Sequence, residues 1–205
     1  MGAVDLIKRT ERKYYLRRKK RRLENISPTV LSSNCTGAVI LHDLGCRFNS
    51  PTVNLYIEAD DFIKFLSDPG KYLAAVPVEI PSGETFPVGR VEDVTVYFMH
   101  YKTFEEARNK WIERSVRVDM NNLFVMMSDK NGCTEKHIAE FDALPYENKV
   151  IFTHVPYPQY KSAYCIKGFE NEAEVGILTD MKPGLLKRRW IDDFDYVSFF
   201  NGVMK

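Results

Sequence analysis

The sequence predicts an α/β fold: a layered single domain with a mostly parallel sheet, preceded by a basic N-terminal helix. Two observations carry this. Short apolar, strand-like runs alternate with stretches of helical periodicity, the pattern of a sheet covered by helices. Four of those runs, at residues 29–33, 94–99, 123–127 and 150–152, each end on a chemically capable residue. The endings are Asn34-Cys35, His100, Ser128-Asp129 and Thr153-His154. Ligands of open α/β sheets sit beyond the carboxyl ends of the strands. A thiol, two imidazoles and a carboxylate are therefore expected around one crevice.

Taken in order, residues 3–24 read as a helix, rich in good helix formers and free of Gly and Pro. Ser27-Pro28 stops it and starts the first strand. Residues 34–45 form a Gly-punctuated turn and short helix, and residues 52–57 a second strand. Asp60 and Asp61 place acid at the start of an amphipathic helix through Leu66, which suits the helix dipole. Pro69 opens another helical turn through Ala75. Residues 77–89 are broken by Pro and Gly and leave room for one short strand. Residues 94–99 are the third clear strand. Residues 104–116 form the clearest helix, with Phe104, Ala107, Trp111 and then Ile112 or Ser115 at 3–4 spacing. A buried strand at 123–127 follows, and Thr134 caps a helix ending near Leu144. After the strand at 150–152, the last fifty residues add a strand at 164–166, a turn around Pro183-Gly184 and a short aromatic helix near 193–200. The expected organisation is a basic arm, residues 1–25, and a single α/β domain, residues 26–205.

The chain has 205 residues, enough for one domain with a substantial core. It holds no run of 18 apolar residues, so no membrane-crossing helix is expected. The N-terminus lacks the apolar core of a secretory signal, so a cytoplasmic location is expected. Cys35, Cys46, Cys133 and Cys165 show no CxxC spacing and read as free thiols, not as a disulfide frame or a zinc site. The net charge of +1 hides an asymmetry. Residues 1–25 carry ten of the 29 Lys and Arg against Asp5, Glu11 and Glu24, a local +7 that leaves −6 for the rest. The densest run is Arg17 to Arg22. Such a block favours anionic partners. The acidic body, without interleaved basic and aromatic residues, argues against nucleic acid. Residues 8–22 then read either as a solvated helix or as an attachment to an anionic membrane surface at its inner face. Ile7, Tyr14 and Tyr15 supply only a weak apolar stripe.

A string of motifs runs along the chain. It includes Ser33-Asn34-Cys35-Thr36-Gly37, His42-Asp43-Leu44-Gly45, Asn49-Ser50-Pro51-Thr52, Pro87-Val88-Gly89-Arg90 and His100-Tyr101-Lys102-Thr103. Trp111, Arg114, Asn122-Leu123-Phe124-Val125, Asp129, Gly132-Cys133-Thr134-Glu135 and residues 148–154 complete it. The string, from about residue 19 to 201, resembles the bacterial family called domain of unknown function 1919. Many members carry Asn-Cys-x-Gly-Gly where this chain has Ala38 as the last residue. The resemblance implies a role in exopolysaccharide or capsule biosynthesis and establishes no reaction. The block around Cys35 also resembles the first block of SGNH-type hydrolases and their acyltransferase relatives, with Cys in place of Ser.

Cys35 follows a strand and opens a helix, where terminal amides favour a thiolate and can hold an oxyanion. Its alternative is a buried structural cysteine. His154 is the preferred base, in a loop stiffened by Pro156 and Pro158, with His100 an equal candidate that would otherwise bind substrate. Asp129 would orient either imidazole. Asn34 either donates to an oxyanion or caps the turn. His42 and Asp43 are expected to face the same crevice, and Arg114 to grip a phosphate or carboxylate; His137 reads as surface. No local metal-ligand spacing, Walker loop or Rossmann fingerprint occurs, so no metal is assigned. These residues point to acyl, above all acetyl, transfer, and the resemblance implies the hydroxyl of a sugar or lipid-linked glycan as its acceptor. Cys35 would be its nucleophile, or would line the oxyanion site if transfer is direct. An acyl-CoA donor is implied. A glycosyltransferase using Asp60-Asp61 or Asp192-Asp193, and a non-catalytic assembly partner, are the alternatives.

Overall fold

The computed structural model describes residues 3–184 and 186–204, with side chains from Thr10 onward. Ile7, Lys8 and Arg9 of the basic segment thus lie outside the described side chains. The elements are α1 (Ala3–Arg22), β1 (Thr29–Ser32), α2 (Thr36–Leu44), α3 (Ala59–Ser67), α4 (Pro69–Ala74), β2 (Val78–Glu79), β3 (Val88–Val91) and β4 (Val94–Tyr97). They continue with α5 (Phe104–Ser115), β5 (Leu123–Ser128), α6 (Glu135–Ala143), β6 (Lys149–Thr153), β7 (Ala163–Cys165) and α7 (Tyr196–Phe200). A four-stranded parallel sheet runs β1-β5-β6-β7, and a smaller antiparallel sheet runs β2-β3-β4.

The strand residues alternate between two cores, as the period of two requires. Leu123, Val125 and Met127 of β5 face a core built with Phe62, Phe65, Trp111 and Phe141 from α3, α5 and α6. Phe124 and Met126 face the other, with Ile40 and Leu41 of α2 and Phe199 and Phe200 of α7. Every β5 residue is buried, which makes this the central layer. Gly37 lets α2 lie close on β1. A Cβ there would come within 2.8 Å of Val30 Cγ1 and 2.9 Å of Ser32 Cβ. Gly45, at φ 76°, closes α2 in the left-handed conformation. The close approach is thus made by Gly37, while Ala38 packs buried beside it.

Two strand assignments need correction. Residues 94–99 supply β4, but β4 belongs to the antiparallel sheet, so His100 does not end a strand of the parallel one. Residues 52–57 form no strand beyond a single bridge, Tyr56 to Tyr97. Val53, Leu55 and Ile57 are all buried, which reproduces a strand's alternation without its ladder. The segment lies along the outer edge of β1 and pairs with it chiefly through hydroxyls. Ser50 Oγ and Thr52 Oγ1 both donate to the Val30 carbonyl, and Thr52 Oγ1 accepts from Ser32 N at 3.0 Å. The Pro- and Gly-broken stretch holds two short strands, β2 and β3, where the sequence leaves room for one.

Helix α1 packs against α2 and the C-terminal segment. Arg12 is buried and forks between Asp43, at 2.6 Å, and Asp192. Lys19 is buried with its ammonium 3.7 Å from the centre of the Tyr196 ring. Burial lowers the Lys19 pKa to about 8. The basic run is therefore not wholly solvated: its Lys19 belongs to the packed face. Among the described residues no helix is long and apolar enough to cross a membrane.

Candidate functional site

Three neighbouring strands of the parallel sheet deliver their last residues to one edge. From β1 the chain passes through Ser33 to Asn34 and Cys35, from β5 to Ser128 and Asp129, and from β6 to Thr153 and His154. Adjacent strand ends are bonded to one another. Asn34 Nδ2 donates to Ser128 Oγ at 2.8 Å. His154 Nδ1 meets Asp129 Oδ2 at 2.5 Å, and the same oxygen accepts His154 N at 2.8 Å. The other carboxylate oxygen accepts Val175 N at 2.7 Å. Asp129 is buried, so this one carboxylate fixes the imidazole and the 174–176 segment together. Orientation by a carboxylate through Nδ1 leaves Nε2 for chemistry. The His154 side chain is 18% exposed and reachable.

A cleft of about 670 Å³ opens beside this row. Its lining includes the polar side chains of Asn34, Thr36, Ser128 and Lys130, with Cys35 and His100. Tyr56, Phe86, Met99 and the segment from Gly176 to Thr179 complete much of the lining. Tyr56 is stacked on Tyr97 with ring centres 4.4 Å apart and planes 3° apart, and Phe86 meets Tyr56 edge-on. Lys130 is tied to Glu174 at 2.7 Å and to the Val175 carbonyl at 3.0 Å. Asp129 is flanked in the chain by the lining residues Ser128 and Lys130, and Val175, which it holds, by Glu174 and Gly176; His154 and its chain neighbours are not part of the lining. A more open groove of about 820 Å³, along the β2–β3 connection and the start of α5, contains none of the candidate residues.

The Cys35 thiol lacks the bonded base that a nucleophile needs. Cys35 Sγ donates to the Leu55 carbonyl at 3.6 Å, and among the described residues no imidazole bonds to it. Burial raises its pKa, with the Leu55 and Asn54 backbone opposing that rise only in part. The amides expected to hold an oxyanion are also occupied. Thr36 N donates to Asn34 Oδ1 at 3.0 Å and Gly37 N to Ser32 Oγ at 3.3 Å. Asn34 is thus a turn cap that also reaches Ser128. Burial raises the other three thiols as well, Cys133 to about 12.

Besides Asp129 and His154, three candidates lie away from the cleft lining. Asp43 is committed to Arg12, and His42 beside it projects into solvent from the last turn of α2. Arg114 donates to Tyr101 Oη at 2.8 Å, and Tyr101 in turn donates to the Val53 carbonyl at 3.1 Å, so the arginine holds the 53–55 segment. His137 is buried, not surface: its Nδ1 accepts Thr134 N and its Nε2 meets Asp60 Oδ1 at 2.8 Å, an α6-to-α3 tie. The remaining acids of the two Asp pairs are also engaged: Asp61 accepts Thr95 N at 2.8 Å, Asp192 holds Arg12, and Asp193 holds Lys182. Among the described residues no group of three His, Cys, Asp or Glu is placed to hold a metal ion. The aromatic lining and the Lys130–Glu174 tie escaped sequence reasoning. Tyr56 and Tyr97 are 41 positions apart, and only the isolated bridge between them makes the stack.

The chain matches the family described as Domain of unknown function (DUF1919) over residues 6–201, and belongs to it. A protein of Haemophilus influenzae, described as "Uncharacterized protein", is 45% identical over 195 residues, spanning 95% of this chain and 94% of that one.

Proposed function

We propose that this member of the DUF1919 family is a transferase of cell-surface polysaccharide synthesis. It moves an acyl group, acetyl first of all, from an acyl-CoA donor to a sugar hydroxyl. The observation that carries the chemistry is the Asp129–His154 pair at the carboxyl edge of the parallel sheet. The polysaccharide setting rests on the sequence resemblance. A cleft lined by both aromatic and polar side chains suits a sugar, whose ring faces are apolar and whose rim is all hydroxyls.

Transfer is direct. His154 Nε2 takes the proton of the acceptor hydroxyl as its oxygen attacks the thioester carbonyl. The carbon–sulfur bond then breaks, and the leaving thiolate recovers the proton from the imidazolium. Asp129 holds the ring and stabilises its charged form. His100, exposed in the cleft, contacts substrate. In this reading Cys35 carries no acyl group, since its thiol donates to the Leu55 carbonyl and among the described residues no imidazole bonds to it. The engagement of Asp60, Asp61, Asp192 and Asp193 in other contacts weighs against the glycosyltransferase reading.

The test is release of free thiol from acetyl-CoA in the presence of a panel of mono- and disaccharides. His154→Asn is expected to lower turnover by roughly 100- to 10,000-fold, and Cys35→Ser to leave it within about twofold. No thiol release with any acceptor, together with thermal stabilisation by nucleotide sugars instead of acyl-CoA, overturns the reading in favour of glycosyl transfer. No ligand response at all favours a non-catalytic assembly partner.

A further inference from the structure

The ten cations of the N-terminal segment are not one population. Packing divides α1 into two faces. Arg12, Tyr15, Leu16, Lys19 and Leu23 turn inward, with Arg12, Lys19 and Leu23 buried. Lys13, Tyr14, Arg17, Arg18 and Arg21 recur at helical spacing on the outer face, joined by Lys20, and all six are exposed. Among the described residues none of these five cations has an acidic partner, whereas the buried Arg12 has two. The rest of the chain is net negative.

Exposed apolar side chains gather near the C-terminal end of α1. Asn201 accepts Glu24 N at 2.9 Å and donates to the Arg22 carbonyl at 2.9 Å, which brings the C-terminal segment to the end of α1. The chains leaving that junction carry Ile26, 74% exposed, and Val203, 64% exposed, with Tyr14 at 72% on the helix itself. Unpaired cations on a helix, with protruding apolar side chains leaving its end, match an anionic bilayer: the charges meet headgroups and the apolar groups enter the interface.

We propose that the outer face of α1, with Ile26 and Val203, docks the protein on an anionic phospholipid membrane. The inner face clamps α1 to the domain, so the helix presents its charges as a fixed surface. Nucleic acid is less favoured, because the exposed apolar pair has no role on a phosphate backbone.

The experiment is co-sedimentation of the full chain with vesicles of 30% phosphatidylglycerol in phosphatidylcholine, and with phosphatidylcholine alone. Binding is expected to the anionic vesicles only, and to fall steeply from 0.1 to 0.5 M salt. The triple variant R17Q/R18Q/R21Q is expected to bind roughly 100-fold more weakly, about fivefold per charge. Ile26→Ser with Val203→Ser is expected to weaken the binding that survives salt. These side chains are exposed, so an unchanged thermal midpoint verifies each fold. Absent binding, equal binding to neutral vesicles, or an unaffected triple variant overturns the proposal. Tighter binding to duplex DNA than to the anionic vesicles at the same salt overturns it in favour of nucleic acid.

Discussion

Asp129→Ala is expected to unfold this protein more readily than the removal of the histidine it serves. The carboxylate accepts three hydrogen bonds, from His154 Nδ1, His154 N and Val175 N. Alanine leaves both backbone donors unpaired, and Val175 is fully buried, so water cannot replace the lost acceptor there. Each orphaned buried donor costs about 1–3 kcal/mol, and the pair together about 3–5 kcal/mol, comparable to breaking a buried ion pair. Asp129→Asn keeps one carbonyl oxygen for one of the two donors and turns an NH₂ toward the other, which costs about 1–3 kcal/mol. His154→Ala leaves both backbone bonds intact and loses only a partly exposed ring, about 1–2 kcal/mol. Urea unfolding followed by circular dichroism, compared at constant m, reads these differences as midpoint shifts. The expected order is Asp129→Ala, then Asp129→Asn, then His154→Ala. A loss below about 1 kcal/mol for Asp129→Ala, or a His154→Ala as costly as it, refutes the claim that one carboxylate fastens both segments.

Three further outcomes are expected. Brief iodoacetamide treatment at pH 6, read by mass spectrometry, leaves Cys35 unmodified, because its raised pKa keeps the thiolate fraction below about 1%; selective labelling there restores the covalent mechanism. The stability of the native chain relative to Lys19→Met rises with pH from about 8 toward the ordinary lysine value. In that window the unfolded chain binds a proton that the buried ammonium has lost, and the gain is up to about 3 kcal/mol; a flat difference shows that the Tyr196 ring fully compensates the burial. Gly37→Ala destabilises by about 1–3 kcal/mol in a chemical melt, opposite in sign to the usual helix-interior gain, because the new methyl group meets Val30 and Ser32.

The Asp129–His154 pair was legible because β5, α6 and β6 form one compact βαβ unit, whose strand ends become neighbours once the sheet is parallel. The environment of Cys35 was not legible. A strand-end cysteine shows in the sequence, but the carbonyl that holds its thiol comes from Leu55, twenty positions on, in a segment whose alternation imitates a strand. His100 reaches the cleft by a route the sequence concealed, since an apolar run does not say which of two sheets it joins. The burial of Arg12 and Lys19 was hidden for a related reason: Asp192, Asp195 and Tyr196, which accommodate them, lie some 180 residues away.

The hydroxyls that cover β1 have a consequence for how safely the molecule lives at high concentration. A bare outer strand offers its backbone groups to any passing chain, and parallel sheets with such margins invite stacking between molecules. Here Ser50 and Thr52 occupy the Val30 carbonyl, and Thr52 also takes the Ser32 amide, so that margin is closed from within. The opposite margin, β7, is only three residues long and gives an intruding strand little purchase. Removing the two hydroxyls together would leave the fold recognisable and its sheet adhesive, so the first sign of damage would be turbidity, well before any loss of secondary structure.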